Sequence, residues 1–87
     1  MNVDRNMYSI NHPLADCVSV VSGPGTYSGE NSKELAFFNN KKWVTEIIPE
    51  FEDNAEYGTS LPFEGDTRVY SYVPNQDIEL FLINCGV

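Results

Sequence analysis

Apolar and polar positions alternate in short runs along this chain, and the alternation predicts strands. Residues 17–21 (Cys-Val-Ser-Val-Val) are rich in β-branched side chains, bounded by Pro13 and the Gly23-Pro24-Gly25 turn signal. Residues 34–38 run into Asn39-Asn40-Lys41-Lys42, and residues 43–48 follow. Two apolar runs across a short, Asn-rich connector predict a β-hairpin. Residues 67–73 set Arg68, Tyr70 and Tyr72 against Val69, Ser71 and Val73. Pro74-Asn75-Gln76-Asp77 then turns the chain into residues 78–85, which predicts a second hairpin. This last run is apolar on both faces, with Ile78, Leu80 and Leu82 on one and Phe81 and Ile83 on the other. A strand of that kind needs cover on both sides, from a second layer or a second copy, so a homodimer contact is expected there.

One segment fits two periods. Val44, Ile47, Ile48 and Phe51 stand at i, i+3, i+4 and i+7, the spacing of a helical face. Pro49 would interrupt that helix, and Trp43, Val44, Thr45 and Ile47 favour strands, so the hairpin is preferred. Residues 49–66 hold Gly58, Pro62, Gly65 and three separated aromatics (Phe51, Tyr57 and Phe63), which predicts a long acidic loop or a short helix over 51–57. The expected fold is mostly β (β or α+β): a small single domain over 1–87 with a five-stranded, mainly antiparallel sheet, two hairpins and at most one short helix. Residues 1–16 are expected to form an N-terminal arm.

Charge changes the picture more than composition does. Seven of the 13 carboxylates (Glu46, Glu50, Glu52, Asp53, Glu56, Glu64 and Asp66) lie in a stretch with no Lys or Arg, against a net charge of −8 for the chain. Such a surface repels nucleic acid and anionic membranes and steers cationic proteins toward itself. The aromatic share of 13% argues against a disordered acidic chain, since those are poor in aromatics. No apolar run is long enough for a secretory signal or a membrane span, so a cytoplasmic location is expected. In a reducing compartment, Cys17 and Cys85 then read as two half-buried thiols rather than a disulfide.

Catalytic and ligand chemistry find little support in the residues. The turn containing Gly23, Gly25, Thr26, Ser28 and Gly29 follows a strand, as a phosphate loop should. Its hydroxyls and amides suggest a small anionic ligand or nucleotide in an oligomeric module. Its spacing matches neither G-x-G-x-x-G nor a Gly-Lys-Ser/Thr ending, and Pro24 removes a donor. His12 is the only histidine, and it reads as an exposed or capping residue. No metal set, cofactor or catalytic residue is expected. Five basic residues without a stripe exclude direct nucleic-acid binding.

The acidic stretch therefore carries the functional expectation. Its carboxylates would replace phosphates in the basic site of a nucleic-acid-handling protein or nuclease. Glu46, Glu50, Glu52, Asp53, Glu56, Glu64 and Asp66 would supply charge, and Phe51 and Tyr57 apolar anchors. In size and charge the chain is similar to small phage-encoded inhibitors of host nucleases, including anti-CRISPR and anti-restriction proteins; no motif places it in a family. The expectation is a non-enzymatic inhibitor acting as a nucleic-acid mimic. A small-ligand module and a structural or assembly subunit are the alternatives.

Overall fold

A computed structural model describes residues 3–59 and 66–87, with the backbone alone for residues 57–59 and 66. The described strands are β1 (Asp4–Ser9), β2 (Cys17–Ser22), β3 (Ser32–Asn39), β4 (Lys42–Trp43), β5 (Ala55–Thr59) and β6 (Asp66–Pro74). They form one antiparallel sheet in the order β1-β2-β3-β6-β5, and the two-residue β4 pairs with the end of β3. A 3₁₀ segment, Pro49–Asn54, precedes β5, and one α-helix, α1 (Asn75–Asn84), follows β6. The mostly β architecture and single short helix agree with the expectation, with six strands in place of five.

Alternation sets the register at the centre. Val18 lies opposite Phe37 and Val20 opposite Leu35, and all four join the core beneath α1. Ser19 and Ala36 face each other on the other side of the sheet, where Cys17 and Val21 also project. The predicted turn after β3 forms as a tight hairpin in which Phe38 pairs with Trp43. Asn40 and Lys41 both take left-handed backbone angles there (φ 51° and 66°). The Asp16 carboxylate accepts the Asn40 amide at 3.0 Å, tying this turn to the start of β2.

Three expectations are corrected. First, residues 75–84 are helical, so the second hairpin does not exist and neither does the doubly apolar strand that suggested a homodimer. Ile78, Phe81, Leu82 and Cys85 occupy i, i+3, i+4 and i+7 on the buried side. Leu80 and Ile83 are left 60% and 68% exposed. Local signals support the helix: Asp77 lies in its first turn, and Gly86 closes it with a positive φ of 83°. An acid at that end complements the helix dipole. The Gly86 amide reaches the Ile83 carbonyl at 3.1 Å and the Val87 amide the Leu82 carbonyl at 2.9 Å, the paired bonds of a Schellman cap.

Second, the N-terminal arm is structured. Residues 4–9 pair along β2, and Ile10 and Ala15 are buried as the chain returns. Third, the strand expected over 43–48 ends at Trp43. Three backbone groups beyond it are taken by other partners: the Val44 amide by the Phe37 carbonyl (2.8 Å), the Thr45 carbonyl by Arg68 Nε (2.7 Å), and the Ile48 amide by the Tyr70 hydroxyl (3.0 Å). Pro49 then opens the 3₁₀ segment, where its missing N–H is no loss. The segment kinks at Phe51 (φ −126°, ψ 25°).

An aromatic cluster joins these layers. Phe37 and Tyr70, both fully buried on the sheet, meet edge-on with ring centres 5.2 Å apart. Phe81 of α1 packs edge-on to Phe37 at 5.7 Å, and Phe51 of the 3₁₀ segment lies 4.9 Å from Phe81. Edge-to-face contacts at these distances add to the burial of each ring. Phe37→Ala should cost about 3–5 kcal/mol, a large share of the roughly 5–15 kcal/mol typical of a domain. Tyr70→Phe keeps the ring but strands the buried Ile48 amide, which should cost about 1–3 kcal/mol. Urea titration of the two variants checks both, and a Tyr70→Phe midpoint equal to the parent's would refute the hydroxyl's role.

Candidate functional site

Residues 44–56 build the acidic surface by alternation. Val44, Ile48 and Phe51 are buried, while Glu46, Glu50, Glu52, Asp53 and Glu56 are exposed. The apolar positions fill the core, so the acids between them are left to face water. Side chains fasten this segment to β6: Arg68 at Thr45, Tyr70 at Ile48, and Asn54 through its Nδ2 to the Ser71 carbonyl at 3.0 Å. The acids thus project from an anchored backbone rather than a free loop.

They do not share one flat face. Glu50 turns toward α1, where it lines a groove with Asp77. Glu56 lies opposite Val69, which places it on the side of the sheet away from the helix. Phe51 is 4% exposed and belongs to the core, so it is not a surface anchor as expected. Glu64 and the side chains of Tyr57 and Asp66 lie outside the described residues. The sequence reading missed Asp77 and Leu80, because it read their helix as a strand; the apolar spacing at 78, 81, 82 and 85 was the available signal.

The expectation that His12 is exposed or capping holds in part: it caps a backbone amide but is not exposed. Its side chain is only 6% exposed, packed with its ring centre 5.6 Å from that of Phe81. The Leu14 amide donates to His12 Nδ1 at 3.1 Å, so in the neutral ring the proton sits on Nε2. Nε2 donates to Glu50, 3.0 Å from Oε2 and 3.3 Å from Oε1. Both nitrogens are engaged, and the histidine fixes the orientation of one acidic side chain.

The glycine turn is bonded to itself. Thr26 Oγ1 donates to the Gly23 carbonyl at 2.6 Å and lies 2.7 Å from Ser28 Oγ, which accepts the Gly23 amide at 3.2 Å. The Thr26 amide is taken by the Gly23 carbonyl and the Gly29 amide by Ser32. The Tyr27 amide is held by a Glu34 carboxylate oxygen at 3.0 Å. The amides of Gly23, Thr26, Tyr27 and Gly29 are thus occupied, and an incoming anion would also meet the Glu34 carboxylate. Gly25 has a φ of 80°, so the turn itself accounts for that glycine.

Cys17 and Cys85 are both free thiols on opposite sides of the sheet, Cys17 outside and Cys85 in the core. That placement rules out a bond between them in this fold. Among the described residues no group of three or more His, Cys, Asp or Glu is placed to hold a metal ion. No described helix is long and apolar enough to cross a membrane. No protein-family model, curated protein or solved structure matches this chain.

Burial pushes the Cys17 and Cys85 thiols upward, aided by the charges of Asp16 and Glu50 respectively. Burial likewise raises the Tyr70 phenol, against the lowering effects of the Ile48 amide and Arg68. The native chain holds all three protons more tightly than the unfolded chain, whose thiols titrate near ~8.5 and phenols near ~10. Their contribution to stability is complete below about pH 8.5 and declines as pH rises through the native values. The urea midpoint should therefore be lower at about pH 10 than at about pH 8, and iodoacetamide should modify Cys85 only on unfolding. A midpoint that rises across that interval would contradict this assignment.

Proposed function

We propose that this chain is a non-enzymatic binding protein that presents its carboxylates to the basic surface of a nucleic-acid-handling protein and inhibits it by occupying that surface. The observation that carries this reading is the anchored acidic segment. Five of its described carboxylates are exposed, and Glu46, Glu52, Asp53 and Glu56 form no ion pair among the described residues. Fixed carboxylates on a folded backbone resemble the fixed phosphates of a nucleic acid, so a partner loses less entropy on pairing with them than with a disordered acidic tail. Their distribution around a projecting segment suits a concave basic site better than a flat one. The four occupied amides of the glycine turn, with the Glu34 carboxylate beside them, weigh against a small anionic ligand. Nucleases of host defence, encountered in the cytoplasm, are the partner class that the size and charge suggest.

Capture of a partner from lysate, followed by a competition assay, tests this. The captured protein should bind nucleic acid, and this chain should displace that nucleic acid. Affinity should fall at least about tenfold between about 50 and about 200 mM salt, as expected when several charges pair. The combined variant Glu46→Lys, Glu52→Lys, Asp53→Lys, Glu56→Lys should lose binding while retaining its circular dichroism spectrum. Binding that survives these four reversals, or does not change with salt, would sink the reading.

A further inference from the structure

The groove between the 3₁₀ segment and α1 has a divided chemistry. It holds about 200 Å³ and is lined by Glu50, Phe51, Asp77, Leu80, Phe81 and Asn84. Phe51 and Phe81 show it only their edges, at 4% and 5% exposure, whereas Leu80 stands up beside it. One turn further along, Ile83 continues the same outward side of the helix, so two large aliphatic side chains form an uncovered crest next to the groove. Two carboxylates border it, and none of its lining residues is cationic. Glu50 is held in place by the buried His12, and its own side chain remains 46% exposed. A second copy of this chain is a poor occupant, since it would bring another −8 of charge to the same place.

We infer that this groove and crest dock a cationic amphipathic segment of the partner protein. The occupant carries a Lys or Arg whose methylene stem lies along Phe81 and Leu80 and whose charge reaches Glu50 and Asp77. Adjacent apolar side chains of the same segment cover Leu80 and Ile83. This rests on the proposal that the partner is basic, and it adds a requirement that nucleic-acid mimicry alone lacks. Part of the binding is apolar and tolerates salt, because burial of Leu80 and Ile83 is not screened.

The test uses the whole ¹⁵N-labelled chain and two synthetic peptides of equal length and equal positive charge. One carries Leu at helical spacing among its Arg residues; the other has Ser at those positions. The Leu peptide should bind at least about tenfold more tightly, with amide shifts concentrated at Glu50, Phe51, Asp77, Leu80, Phe81 and Asn84. The double variant Leu80→Ser, Ile83→Ser changes exposed positions only and should erase that preference while leaving binding of the Ser peptide unchanged. Glu50→Gln with Asp77→Asn should weaken both peptides. Equal binding of the two peptides, or shifts centred on the opposite side of the sheet, would overturn the groove assignment and leave the basic-partner reading standing. Failure of both peptides to bind at low salt would remove the two together.

Discussion

The hydrogen bond from the Ile48 amide to the Tyr70 hydroxyl, inside the cluster of Phe37, Tyr70, Phe51 and Phe81, is the contact on which the rest of this molecule depends. A chain of 87 residues has a thin core, and four large rings provide much of it. Each ring comes from a different element: β3, β6, the 3₁₀ segment and α1. Their packing therefore fixes where the helix lies and where the 3₁₀ segment turns. The phenol completes the arrangement by satisfying a backbone amide, that of Ile48, which would otherwise be buried without a partner just before the 3₁₀ segment.

The proposed function rests on the same constraint. Acidic residues crowded into one stretch repel one another, and a free loop would spread them apart. Here Val44, Ile48 and Phe51 are fixed in the core, so the intervening acids project at set positions. Aromatic burial offsets the repulsion and leaves an ordered anionic surface. His12 extends this principle to Glu50 by clamping its carboxylate from a buried position. On the proposed reading, the long-range field would draw in a basic partner, and the ordered carboxylates together with the Leu80–Ile83 crest would decide how it seats.

The central strands were legible in the sequence from their β-branched and aromatic content, although burial does not repeat every second residue in them: Val18 to Val21 are all buried in β2, and Thr67, Tyr70 and Val73 are the buried positions over 67–73. The β-branched run at 17–21 and the alternation at 67–73 marked β2 and β6, and the Asn-Lys connector marked the β3–β4 hairpin. What remained hidden has physical reasons. Residues 4–9 are polar and mostly exposed, so β1 exists only because β2 offers it a ladder to pair with. Residues 78–85 are apolar at six of eight positions, so a period of 2 competed with the helical spacing of 78, 81, 82 and 85; Asp77 before them and Gly86 after them reinforced the helical signal. The path of the chain after Trp43 is held by Tyr70, 22 residues beyond Ile48, and no local pattern records that bond. The acidic charge was plain from composition. That Phe51 belongs to the core, and that Asp77 and Leu80 lie beside Glu50, required the fold.

The central claim is that the acidic segment is an anchored part of the fold, and native-state hydrogen exchange at single-residue resolution tests it most directly. Ile48 and Phe51 donate their amides to Tyr70 and to the Ile48 carbonyl respectively, both beneath the acids. Their exchange should be as slow as that of Phe37 and Val20 in the central strands, opening only with global unfolding. Exchange of Ile48 and Phe51 at the rate of an exposed loop, with β2 and β3 still protected, would mean that the acids ride on a mobile segment and would contradict the account.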